Sequence, residues 1–106
     1  MIDANDIYEK LTKAGNDWAV KNGNADLLEE GKKVILAELG RNVDSSYAAK
    51  EAYALASPEY KEHVEKMVKA RTEANKAKVE YESRKAWVDI MRTNAATERV
   101  ANRSAV

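Results

Sequence analysis

Between Glu59 and Asn102 the chain contains neither Gly nor Pro. These are the two residues that most readily end a helix, Gly through its conformational freedom and Pro through its missing N–H. The same stretch is dense in Ala, Glu, Lys and Arg, which are strong helix formers. It predicts one helix of roughly 45 residues, about 65 Å long at 1.5 Å per residue. Its start is marked by Ser57-Pro58-Glu59, a hydroxyl cap, then a Pro whose absent N–H costs nothing in the first turn, then a carboxylate near the positive helix end. A compact domain of this size has a radius of gyration of about 13 Å. So long a helix must therefore project or lie along a second long partner.

No part of the 106-residue chain alternates apolar and polar residues as a half-buried strand would. The expectation is all-α: a helical hairpin or bundle in one domain, 1–106, with a long C-terminal coiled-coil-like helix. Helices are expected at about 4–21, 25–39, 46–56 and 58–102. Asp3 can cap the first, whose Ile7, Leu11, Ala14 and Trp18 recur on one face. Asn22-Gly23 is expected to end it, and Asn24 or Asp26 to open the next, with Leu27, Leu28, Val34, Ile35 and Leu39 turned inward. Asn42, Asp44, Ser45 and Ser46 favour turns and caps, which predicts a break there. Helix then resumes, with Ala48, Ala52 and Leu55 on one side.

The long helix carries a heptad. With Tyr60 at a, the a sites are Tyr60, Met67, Ala74, Tyr81, Val88 and Ala95, and the d sites are His63, Ala70, Ala77, Arg84, Met91 and Glu98. Ala supplies 18 residues of the chain, so the seam is thin, and its Ala-rich middle suits a closely approaching neighbour. Five consecutive e sites, Arg71, Lys78, Lys85, Arg92 and Arg99, are basic. A parallel in-register dimer would pair Glu73 with Lys78 and Glu80 with Lys85, against one repulsive match, Lys66 with Arg71, whereas antiparallel self-pairing would oppose the basic rows. Parallel self-association and packing against the chain's own earlier helices both stay open. Trp87 and Ile90 lie off the seam of Val88 and Met91, which predicts a second buried surface there, against the same chain or against a partner. The candidate interface is Tyr60, Met67, Ala70, Ala74, Ala77, Tyr81, Trp87, Val88, Ile90 and Met91.

Charge excludes less than it reveals. Eighteen basic residues balance 18 acidic ones, so the whole-molecule charge makes no case for nucleic acid or an anionic membrane. Locally, residues 84–106 hold five basic side chains against Asp89 and Glu98, and Lys85, Arg92, Arg99 and Arg103 could contact phosphates. The other reading of the basic row is a solvated flank, with Lys78–Glu82 and Lys85–Asp89 at i, i+4. No Cys is present, no apolar run approaches the ~18 residues of a spanning helix, and the acidic start lacks a signal-peptide layout. A cytoplasmic location is expected.

Glu59 and His63 share a helix face, but without a second His or a Cys they lack a zinc set. No phosphate loop, nucleophile elbow or calcium loop occurs, so no enzyme activity, cofactor, metal or small-molecule substrate is expected. A secreted Trp-X-Gly hairpin is disfavoured, since Trp18 is followed by Ala19-Val20.

Ala48-Ala49-Lys50-Glu51 through Ser57-Pro58-Glu59-Tyr60, then Ala74-Asn75-Lys76-Ala77-Lys78-Val79-Glu80-Tyr81-Glu82, then Arg92-Thr93 to Ala96-Thr97-Glu98-Arg99, resemble a group of small helical proteins encoded by bacteriophages and prophages. The likeness covers roughly the last 60 residues. It implies an accessory role in phage DNA metabolism, beside single-strand annealing and recombination functions. The residues themselves favour association with a second copy or another protein, with sequence-independent nucleic-acid binding as the alternative.

Overall fold

The structure is a computed structural model, and it describes residues 3–104. Among these the chain is all-α, without strands: α1 (Ala4–Glu30), α2 (Lys32–Gly40), α3 (Tyr47–Ala56) and the long α4 (Pro58–Ser104). The Asp3 carboxylate accepts the Asn5 N–H at 2.9 Å and opens α1, and Ser46 Oγ accepts the Ala49 N–H at 3.3 Å to open α3. Residues 41–46 form the expected break between α2 and α3.

Two sequence expectations about helix ends fail, each for a physical reason. The helix does not stop at Asn22-Gly23 but runs to Glu30, and Gly23 has no positive φ. A Gly inside a helix costs only about 1 kcal/mol relative to Ala. Burial of Ala25 and half-burial of Leu28 on the following turns outweigh that cost. The interruption falls instead at Gly31, which keeps helical angles (φ −68°, ψ −12°) and bonds at 3.0 Å to both Leu27 and Ile35, so α1 and α2 are separated by a local irregularity. At the other corner, the Ser57 hydroxyl does not cap α4. It is buried and donates to the Tyr53 carbonyl at 2.8 Å, closing α3, while the Ser57 carbonyl accepts from Tyr60 and Lys61.

The chain divides into two compact units, residues 1–18 with 76–106, and residues 19–75. In the first, α1 and α4 pair antiparallel: Gly15 and Trp18 lie against Tyr81, and Tyr8 against Arg92. A Cβ at Gly15 would sit 3.1 Å from the Tyr81 ring, so the small residue makes room for the large one. In the second, the pairing is again antiparallel, with Leu28 opposite His63 and Asn22 and Glu29 opposite Arg71. There α2 packs on α3 where Gly40 is buried; a Cβ would lie 3.3 Å from Lys50 Cβ and from the Lys50 carbonyl.

The heptad register of α4 holds from Tyr60 to Met91: every a and d residue in that span is buried or half-buried, whereas Ala95 and Glu98 are exposed. The matching face of α1 is Ile7, Leu11, Ala14, Trp18, Lys21, Ala25 and Leu28, none of them exposed. The buried apolar residues are Ala14, Ala25, Ala54, Ala74, Ala77 and Val88, so no apolar side chain larger than Val is buried among the described residues. Some expected inward residues point out. Leu27 and Val34 are exposed because their neighbours Leu28 and Ile35, one helical step away, take the inner positions. Ala48, Ala52 and Leu55 are also exposed, since α3 turns Ala49, Lys50 and Ala54 inward toward α2.

Candidate association surfaces

The seam residues Tyr60, Met67, Ala70, Ala74, Ala77, Tyr81, Val88 and Met91 are all covered wholly or partly within the chain. Tyr81 stacks on Trp18 with ring centroids 5.5 Å apart, and Lys78 Nζ lies 6.0 Å from the centre of the Trp18 ring. Beside Val88 and Met91 an apolar groove of about 150 Å³ reaches Ile7 and Ala95. That is below the ~300 Å³ of an ordinary ligand pocket and marks loose packing at the end of the seam.

His63 serves the fold. Its Nε2 stands 2.8 Å from the Leu28 carbonyl, and since a carbonyl only accepts, Nε2 carries a proton. Among the described residues no group of three or more His, Asp or Glu could hold a metal ion.

The basic e row divides. Arg71 donates from Nε and Nη2 to both carboxylate oxygens of Glu29 (2.8 and 2.9 Å), from Nη2 to Asp26 (2.6 Å) and from Nη1 to Asn22 (2.8 Å). The hydrogen bond from Arg71 holds the Glu29 carboxyl below its ordinary value, and Glu29 and then Asp26 hold Arg71 more firmly protonated. The solvated-flank reading of the basic row does not hold at Arg71. The signal it passed over is Asn22, Asp26 and Glu29 at i, i+4, i+7, a polar stripe on one face of α1. Arg92 donates from Nε to the Tyr8 hydroxyl at 3.1 Å and lies 5.6 Å from that ring's centre. Lys85, Arg99 and Arg103 are exposed, and so is every described residue from Arg92 to Ser104.

Trp87 and Ile90 lie off the seam, as the heptad requires, but the expected burial against the chain's own helices is absent: they are 49% and 51% exposed. Pairing with α1 covers the a and d side of α4, and these two residues point away from it. They form an apolar projection of a kind that isolated helices seldom carry in water.

No family model, no curated protein and no solved structure matches this chain. No described helix is long and apolar enough to cross a membrane.

Proposed function

We propose that the protein is a non-enzymatic helical module that acts by protein–protein association, with the exposed side of α4 around Trp87 and Ile90 as its working surface. One mismatch carries this reading. Internally the helices bury five alanines and a valine, while a Trp and an Ile side by side stay half exposed. Large aromatic and aliphatic groups at the centre of an uncharged surface are the usual anchors of an interface. The likeness of the last 60 residues to phage-encoded helical proteins favours an accessory place beside DNA recombination or replication, in the cytoplasm of a bacterial host.

The test is a photoreactive residue in place of Ile90, in cells that naturally make the protein, compared with one in place of Glu65 on a charged part of α4. Covalent adducts from position 90 and none from 65 are the expected result. The absence of any adduct from position 90 would end the reading.

A second reading, sequence-independent nucleic-acid binding, draws on the exposure of Lys85, Arg92, Arg99 and Arg103. Phosphate contacts by a few Arg would weaken by roughly an order of magnitude or more between 50 and 200 mM salt, whereas an apolar interface would hardly respond. No gel shift with single- or double-stranded DNA at low salt would remove it.

A further inference from the structure

The heptad of α4 has an outer side as well as a seam, and its composition changes along the helix. The outer c, f and g sites between Glu59 and Glu73 are mostly charged, with Glu59, Glu62, Glu65, Lys66, Lys69 and Glu73. Lys76 and Glu80 are the last charges on this side, and beyond them the c, f and g sites carry none. The f sites become Val79, Ala86, Thr93 and Val100, and the c sites Ser83, Ile90, Thr97 and Ser104. At g stand Trp87, Asn94 and Ala101, after Glu80, which Arg84 of the same helix holds at 2.7 Å. All are exposed, in a chain of which 34% of residues are charged. Three of the hydroxyls are already satisfied inward: Thr93 donates to the Asp89 carbonyl and Thr97 to the Thr93 carbonyl, both at 3.0 Å, and Ser104 to Val100 at 3.2 Å. What the two threonines offer to solvent is chiefly their methyl groups. The f and c sites thus form a second apolar seam, on the side of α4 turned away from α1.

We infer that this second seam binds the same seam of a second copy of the chain, antiparallel, in an isologous dimer. The inference rests on the association reading above and names its partner. Two features of the surface choose the occupant. The bulky residues, Trp87 and Ile90, precede the small ones, Thr97 and Ala101. With two copies antiparallel about a two-fold axis near residues 92 and 93, Trp87 falls level with the other copy's Thr97 and Ala101 and Ile90 between its Thr93 and Thr97; a parallel arrangement stacks Ile90 on Ile90. The b sites flanking the seam are Glu82, Asp89, Ala96 and Arg103. Antiparallel pairing sets Glu82 beside Arg103 of the second copy, twice over by symmetry, while parallel pairing turns the b sites toward the second copy's g sites, Trp87, Asn94 and Ala101, where Glu82 meets no basic partner. The surface is smaller than the ~20–30 residues per side of a standard stable complex, so the dimer dissociates on dilution.

Sedimentation of the purified full chain over a wide concentration range is the test. The mass is expected to rise from that of one 11.8 kDa chain to twice that value. Ile90→Glu and, separately, Thr97→Glu are expected to keep the mass at one chain with unchanged helix content by circular dichroism. For orientation, Glu82→Cys and Arg103→Cys chains, which otherwise lack Cys, are treated with a short bismaleimide. Dimers from the mixture and none from either alone support the antiparallel pairing. Dimers from each alone overturn it, and a single-chain mass at every concentration overturns self-pairing altogether. A monomer that still gives Ile90 adducts to another protein in cells refutes only the second copy; a monomer without adducts refutes the association reading as well.

Discussion

The two units pair the same two helices by different means. In residues 19–75 the contacts between α1 and α4 that carry direction are polar: the four-fold engagement of Arg71 by Glu29, Asp26 and Asn22, and His63 on the Leu28 carbonyl. In residues 1–18 with 76–106 they are aromatic: Tyr81 on Trp18 and over Gly15, and Arg92 against Tyr8. Both kinds flank seams whose fully buried apolar positions are alanine except for Val88. Alanine side chains have no length with which to lock one helix at a given height against another. The difference teaches that register can be set by a hydrogen-bonding fork or by a ring fitted to a glycine, and that their responses to solution conditions should differ.

The largest effect is expected from Tyr81→Ala, which removes the stacked ring and leaves space at Gly15. It should lower stability by about 2–3 kcal/mol, read by thermal or urea unfolding, and the loss should be nearly independent of pH and salt. A loss that vanished in high salt would erase the contrast between the units.

Arg71→Met should cost less, because the fork is partly solvated and exposed ion pairs are weak. Its signature is pH dependence. Glu29 has its carboxyl held below the ordinary value of 4.5, so its contribution is present above that pH and is lost as pH falls below it through the depressed folded value. The unfolding midpoint of the parent chain should therefore drop more steeply in that acid window than the midpoint of the variant. Parallel curves would mean that Glu29 gains nothing from the fork.

Gly23→Ala is the smallest change and the sharpest in sign. Nothing lies within 4 Å of a Cβ at Gly23, and its angles are helical, so the variant should be about 0.5–1 kcal/mol more stable. A helix that really ended at Gly23 in the left-handed conformation would be destabilised instead.

Much of the architecture was legible in the residues. The run without Gly or Pro predicts α4, and the spacing from Tyr60 to Met91 predicts its inner side, because burial of every third or fourth residue leaves a periodic trace that tertiary context does not erase. Helix ends were less readable. Asn22-Gly23 carries a local preference of about 1 kcal/mol, and burial on the next turns of α1 overrides it. The Ser57 hydroxyl could bond forward or back, and only the buried corner decides that it bonds back to Tyr53. The partners of Arg71 were only half readable for another reason: the stripe Asn22, Asp26 and Glu29 offers them, but a charge on one helix becomes a specific contact only when the height of the other helix is known. Trp87 and Ile90 were placed off the seam correctly by periodicity, yet periodicity does not say whether a second apolar side is covered by the same chain.

The alanine-lined interior has a consequence for heat resistance. An Ala side chain withdraws little hydrocarbon from water, so the lone chain keeps a narrow margin against unfolding. Any molecule that engages only the folded form widens that margin by mass action. The melting temperature should then climb as the sample is made more concentrated, and the dilute protein should be the fragile one.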